Sequence, residues 1–299
     1  MADLEKFLKR LIGGFIRFTG LYRLIKRLIR KKATILLYHN PKLDLLEKHL
    51  QYLKKHFNFT TLDTLICSIY DKDWSLMPQN PLIITMDDGF KGNVELLRLF
   101  RKYGIKPTIY ICSHIVNTHR RFWFESEARS PHLYFKYDNA ERLAELSQQY
   151  GFEPTKEYPT RQALDVAEII KMSPYVDFQS HSKFHSILPK CSDEDSFSEI
   201  EESKERLTEM LNTKISHFSY PNGDYSDREI RQLKKAGYKS ARTCDIGWNH
   251  IHTDPFRLKA MGIGDDSSIN ELISQLYGVS GFLRFAKHGS INGKHPQFT

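Results

Sequence analysis

The 299-residue sequence predicts an α/β fold, a parallel sheet or barrel with helices outside it. Two observations lead there. Short apolar runs alternate with helix-period segments along most of the chain, the pattern of βα units. In addition, three polar, chemistry-bearing stretches each fall directly after an expected strand, where such folds build their sites.

Taken in order, Thr34 to Tyr38 (T-I-L-L-Y) reads as a buried strand and Leu43 to His56 as an amphipathic helix. Phe59 to Leu62 is a candidate strand, with Asp63 expected to cap a helix running to Tyr70. A polar, proline-containing loop leads to the strand Leu82 to Met86. Val94 to Tyr103 is a helix closed by Gly104, the expected C-terminal glycine, and Pro107 to Cys112 is the next strand. Residues Ile115 to Thr160 read as an insertion with a helix near Ala140 to Tyr150. The pattern resumes with a helix Asp165 to Met172, a strand Val176 to Gln179 and a long helix Asp193 to Leu211. A strand Ile215 to Tyr220 follows, then a helix Asp227 to Ala236 closed by Gly237. Lys239 to Thr243 is a further strand and Ile269 to Tyr277 a last helix.

Charge separates residues 1–32 from the remainder, residues 33–299, which read as one catalytic domain. The leader holds ten basic and two acidic side chains, so it carries the whole net charge of +8; the rest has 34 of each sign. A neutral body argues against nucleic acid as a partner. Apolar residues from Leu4 to Ile29 recur at spacings of three and four between the basic ones, giving a basic amphipathic helix suited to an anionic membrane surface. Gly13 and Gly14 are expected to kink or split it. Its longest charge-free stretch, Leu11 to Ile16, is too short to span a bilayer, and no signal-peptide cleavage site follows. The expected location is therefore the cytoplasm, at the inner face of the membrane. Cys67, Cys112, Cys191 and Cys244 form no C-x-x-C pair and imply no disulfide framework.

The three stretches are I-T-M-D-D-G-F at Ile84 to Phe90, H-S-K-F-H at His181 to His185, and F-S-Y-P-N-G-D-Y at Phe218 to Tyr225. Asp87 and Asp88 are neighbours whose side chains would diverge along an extended chain, one able to hold a metal while the other faces water. Alone, D-D-G is ordinary turn chemistry, with Gly89 at positive φ. His181 and His185 stand at i and i+4, a spacing that lets two imidazoles share one divalent ion with a carboxylate. With 13 histidines in the chain, such a pair alone would be weak. Tyr220, Pro221, Asn222 and Gly223 form a turn whose backbone N–H groups can face an oxyanion. Together the three supply most of what metal-assisted hydrolysis of an amide or ester needs.

The set resembles the polysaccharide deacetylase family, the NodB-homology group of carbohydrate esterases. L-L-Y-H-N at Leu36 to Asn40 and L-K-K-A-G-Y-K-S-A-R-T after the third motif add to the resemblance, which covers roughly Ile35 to Ile263. It implies a distorted (β/α) barrel and a divalent metal, usually zinc or cobalt. Asp88, His181 and His185 would be the metal ligands, Asp87 the general base, and the Asn222 N–H the oxyanion donor. The implied reaction removes N-acetyl groups from a sugar of a glycan and releases acetate; the basic leader, not the motifs, points to a polysaccharide or lipid-linked glycan made at the membrane. Two positions depart from the family pattern. Ser219 stands where an arginine often steadies the base, leaving Arg242 and Arg257 as candidates. The segment Phe256 to Ile263 lacks the late histidine that acts as general acid, leaving His39, His250, His252 or a water. His39, Trp123, Tyr220 and Pro221 are candidate substrate-binding residues, with Trp123 either a sugar platform or a core tryptophan. An O-acetyl esterase and a catalytically impaired glycan-binding homologue stay open as alternatives.

Overall fold

The computed structural model describes residues 2–125, 138–279 and 281. Residues 126–137, inside the expected insertion, lie outside the described residues.

Strands β1 (Thr34–Tyr38), β2 (Asn58–Phe59), β3 (Pro81–Met86), β4 (Thr108–Ile111), β5 (Asp177–Ser180), β6 (His217–Ser219), β7 (Ser240–Arg242) and β8 (Met261–Gly262) form one sheet. Its path is β7-β6-β5-β4-β3-β1-β8, with β2 beside the start of β3, and every ladder is parallel. The sheet curls into a distorted barrel. Its two ends are drawn together by one short stretch: Leu258 bridges to Arg242 of β7, and Met261 pairs with Leu36 of β1. β8 leaves no signal in the sequence, because two residues carry no periodicity.

Both faces of the central strands are covered, which is why they read as continuous apolar runs. Leu36, Ile84 and Met86 enter a large core with Leu46, Leu50 and Leu53 of α3 (Leu43–His56). Ile35, Leu37 and Ile83 enter a second core with Leu65, Ile66 and Ile69 of α4 (Leu62–Tyr70). Thr61, not Asp63, caps α4, its side chain accepting from Thr64 N–H. A 3₁₀ turn, Lys91–Leu96, precedes α5 (Leu97–Tyr103), which Gly104 closes at φ 63°. The helices α6 (Asn139–Tyr150) and α7 (Val166–Met172) begin with capping boxes at Asp138 and Asp165. Then come α8 (Asp193–Leu211), α9 (Asp227–Lys235) and α10 (Ile269–Leu276).

The leader folds as α1 (Ala2–Thr19) and α2 (Leu21–Ile29), broken at Gly20, whose φ is 76°. Gly13 and Gly14 do not break it. Gly13 lets the backbone of α1 come against that of α10: a Cβ there would sit 1.9 Å from the Asn270 carbonyl oxygen. Sequence shows two glycines; only packing shows that they serve a close helix crossing. Arg10–Glu271 (3.1 Å) ties the same pair of elements, and Lys6–Asp266 (2.6 Å) ties α1 to the turn before α10. Among the described residues no helix is long and apolar enough to cross a membrane.

Candidate metal centre and active site

Strand register fixes the site. Tyr38 pairs with Met86, Ile111 with Ser180, and Ser219 with Arg242, so the carboxyl ends of these strands share one rim. The residues that follow them meet above it. Asp87 leaves β3 with its N–H donating to the Tyr38 carbonyl (3.0 Å). Asp88 then turns left-handed (φ 70°), and Gly89 follows at φ 73°, where a Cβ would strike the Ile111 side chain at 2.5 Å. The expected divergence of the two carboxylates therefore does not occur. The left-handed residue brings both to one side, 3.7 Å (Asp87) and 3.5 Å (Asp88) from His181 Nε2.

His181 follows β5 and donates from Nδ1 to the Ser219 carbonyl (2.8 Å), which leaves the Nε2 lone pair facing Asp88. His185 Nε2 lies 3.4 Å from the same Asp88 oxygen. The pair is not on a helix. Ser182 and His185 both take positive φ, 66° and 60°, and the loop is held from outside. Glu199 of α8 accepts from the N–H groups of Lys183 (2.8 Å) and Phe184 (3.0 Å) and from the Ser186 hydroxyl (2.9 Å). Trp123 donates its indole N–H to the His185 carbonyl (2.9 Å). Such outside support is what keeps two non-glycine residues at strained angles.

Asp88, His181 and His185 are buried, and their ligand atoms lie within 4.8 Å of one another. Burial pushes the His181 imidazole down to about 4 and His185 well below its ordinary value, so both are neutral donors at pH 7. Burial, then repulsion from Asp87, Glu125 and Asp265, drives the Asp88 carboxyl far up. Its Oδ1, the oxygen facing both rings, has no hydrogen-bond partner. A buried, unsatisfied carboxylate oxygen facing two neutral imidazole nitrogens fits a divalent cation and little else.

Asp87 is held differently. Burial alone would raise its carboxyl, but the Arg242 guanidinium, helped by His181 and His39, holds it below the ordinary value. Arg242 is fully buried and donates from Nη2 to both Asp87 Oδ2 and the Ser219 hydroxyl. Ser219 and Arg242 are register partners on β6 and β7, so the guanidinium arrives from the adjacent strand at the level where Ser219 leaves room. Arg257, the other candidate, is half exposed and paired with Asp227 (2.5 Å) and Asp254 (3.7 Å).

The Tyr220 to Asp224 turn lies beside this cluster. Gly223 N–H bonds back to Tyr220 and Asp224 N–H to Pro221, while Asn222 sits left-handed at φ 57°. Gly223 is required: a Cβ would meet Cys244 at 2.5 Å. Tyr220 and Pro221, candidates for substrate contact, are buried; the Tyr220 hydroxyl donates to the Phe256 carbonyl (3.1 Å), so these side chains build the turn. Trp123, the candidate sugar platform, is likewise only 4 % exposed and stacks on the Arg142 guanidinium at 4.5 Å. For Trp123 this is the core alternative; in both cases sequence does not show which side-chain faces are covered.

His39 stays at the rim, half-buried, next to Asp87 across the β1–β3 register. Asp265 accepts from its N–H (3.3 Å) and from that of Asn40 (3.0 Å), pinning the loop. His250 and His252 lie instead in an exposed turn, their rings 6.0 Å apart. Glu199 and Asp265 had no signal in sequence; each is one acid among many.

Comparison with known proteins agrees with this architecture. The family model described as Polysaccharide deacetylase matches residues 76–241. The curated relative YxkH of Bacillus subtilis (strain 168), named for the same family, is 23% identical over 226 residues, 72% of this chain and 66% of that protein. The chain thus spans just under two thirds of that relative's length. Among solved structures, Streptococcus pyogenes deacetylase PplD in complex with acetate superposes with a TM-score of 0.61 at 18% identity, covering 82% of this chain and 98% of that one. IcaB from Ammonifex degensii gives a TM-score of 0.61 at 14% identity, covering 83% and 97%. These similarities establish the barrel.

Proposed function

We propose a metal-dependent de-N-acetylase of glycans, taking as premise that this chain belongs to the polysaccharide deacetylase family. The observation that carries the proposal is the buried Asp88–His181–His185 cluster with its unpartnered carboxylate oxygen beside the Arg242-held Asp87.

Asp88, His181 and His185 would hold the divalent ion, with zinc favoured by two imidazole nitrogens and one carboxylate oxygen, and cobalt as a substitute. Such an ion polarises a carbonyl and acidifies water when bound. The chain's own groups divide the remaining work. Asp87, kept ionised by Arg242, takes the proton of the attacking water. The Asn222 N–H stabilises the oxyanion of the tetrahedral intermediate. His39 stands at the rim where the departing amine needs a proton, so we assign it the general-acid role. Breaking the C–N bond then yields acetate and a free amine. The relatives' family name supports a polymeric acetylated sugar as substrate. The basic leader supports action at an anionic membrane surface, on a lipid-linked or nascent glycan at its cytoplasmic face.

Acetate release should be measured on matched N-acetylated and O-acetylated oligosaccharides, with zinc or cobalt supplied. Acetate from the N-acetylated set, lost in Asp87→Asn, is expected. Release from the O-acetylated set alone would instead establish an esterase. Absence of release from either, with metal bound, would favour a glycan-binding protein.

A further inference from the structure

The leader carries two apolar faces, and only one is used. Ile16 is buried, and Ile12 and Gly13 pack inward beside α10. On the other side Leu4, Phe7, Leu11, Phe15 and Phe18 of α1 face outward, continued by Leu24 and Leu28 of α2; Phe18 is 83 % and Leu28 72 % exposed. Among the described residues, eight of the thirteen exposed large hydrophobic side chains lie on these two helices. Within each helix the spacing repeats as three and four, so each carries a ladder rather than scattered side chains, and Leu21 joins the two across the break at Gly20.

The ladder's position relative to the active site is fixed by its contacts. Near its start, Lys6 pairs with Asp266, the neighbour of the Asp265 that pins His39 at the rim. At its end, the Arg30 carbonyl accepts from Asn80 N–H (2.8 Å), one residue before β3 begins. The two helices therefore run down the wall of the barrel from the active-site rim to the opposite end. From Leu4 on, and apart from Glu5, which pairs with Lys9 (2.8 Å), the charges on these two helices are cationic. Arg10 and Arg17 flank it on α1. Tyr22, Arg23, Lys26 and Arg27 of α2 and its C-cap Arg30, with Gln79 and Asn80, line a cleft of about 400 Å³ whose lining has no acidic side chain.

We propose that α1 and α2 form a side-on docking face for an anionic phospholipid bilayer. The ladder enters the acyl boundary, and the basic side chains, including the α2 cleft, take lipid phosphates. Charge selects this occupant over a second copy of the chain, because pairing two such faces would bring the concentrated positive charge of two leaders together. The barrel then lies with its long wall on the membrane and its rim at the lipid surface. A sugar carried on a membrane lipid reaches the rim without leaving the headgroup layer. The docking itself rests on the membrane placement proposed above; the delivery of substrate rests also on the deacetylase assignment.

The test uses the full chain with Cys67→Ser and a nitroxide on Phe7→Cys, Phe18→Cys or Leu28→Cys, and on Ile170→Cys as a control on another surface. Vesicles of phosphatidylcholine with phosphatidylglycerol are compared with phosphatidylcholine alone. Binding to the anionic vesicles is expected, with the three ladder labels gaining oxygen accessibility and losing nickel accessibility while position 170 does not change. A Phe7→Ser/Phe15→Ser/Phe18→Ser variant with unchanged circular dichroism should lose binding by roughly a thousand-fold or more, from three rings no longer buried. Binding with the ladder labels still in water would overturn the docking face but spare the membrane placement. Absence of vesicle binding would overturn both, and a stable dimer that covers the ladder in light scattering would replace the bilayer with a second copy. None of these readouts depends on turnover.

Discussion

Replacing Arg242 with methionine removes the only positive side chain that donates to Asp87 among the described residues, while keeping an apolar side chain of similar reach. Both partners are buried, at 0 % and 5 % side-chain exposure, so solvent screening does little for them. Leaving one charge of such a pair uncompensated costs about 3–5 kcal/mol. For a domain of this size that lowers Tm by on the order of 10 °C. The same change acts on catalysis. With Arg242 present the Asp87 carboxyl lies below its ordinary value; without it, burial dominates and pushes the carboxyl up. The acid limb of acetate release should therefore move to higher pH, and activity near neutrality should fall on the order of 10²–10³-fold. Stability follows the same sign. In the native protein the pair stabilises above the ordinary carboxylate value, and that contribution disappears as pH falls through the depressed folded value, so the Tm gap between the two proteins should narrow in acid. Moving the guanidinium back one strand, in Ser219→Arg/Arg242→Ser, should recover part of the loss, because the two positions are register partners. Melting curves and pH–rate profiles on the three proteins suffice. An Arg242→Met protein with native Tm and a native acid limb would refute the assignment of Arg242 as the group that holds the base.

Three further outcomes follow from other contacts. Glu199→Ala strips the acceptor from the Lys183 and Phe184 N–H groups, which costs about 1–3 kcal/mol for each donor left buried. Metal affinity by competition with a chelator should fall roughly 10–100-fold, and Glu199→Gln, which keeps an acceptor, should restore most of it. Gly13→Ala places a methyl 1.9 Å from the Asn270 carbonyl, an overpacking cost on the order of 1–3 kcal/mol. Limited trypsin digestion should then cut faster at Arg10 and Arg17 while the barrel resists. Acid should loosen the same helix. Burial tends to raise Glu271, but the Ser268 bonds and Arg10 hold it below its ordinary value; Lys6 holds Asp266 low. Both ties therefore contribute above the ordinary carboxylate values and are lost as pH falls through the depressed ones, which hydrogen exchange in α1 would register. Exchange in α1 that does not depend on pH would contradict the role of these pairs.

Much of this architecture is legible in the sequence because it rests on local rules. Apolar runs such as Thr34 to Tyr38, too short for a helix, fit buried strands, and Gly104 closes its helix as a left-handed glycine should. Asp87, Asp88, His181 and His185 stand out by residue type and spacing, and strand ends bring them together. What escaped depends on the neighbour across the sheet or helix interface. Choosing Arg242 over Arg257 needs the β6–β7 register. Recognising Gly13 as a contact needs α10 beside it. The common side of Asp87 and Asp88 comes from one left-handed residue, and period-two alternation assumes there is none. Trp123 supports the His181–His185 loop from 62 residues away, and Glu199 from the helix that follows it, relations that residue type and spacing do not show.

Metal content after overexpression with supplied zinc, measured by mass spectrometry on the wild type, Asp88→Ala and Asp87→Asn, separates ligand from base. With Asp88 proposed as a ligand and Asp87 as the base, near-stoichiometric metal is expected in the wild type and in Asp87→Asn, and a sharp loss in Asp88→Ala. Equal metal in all three, or a loss confined to Asp87→Asn, would contradict the division of labour between the two neighbouring carboxylates.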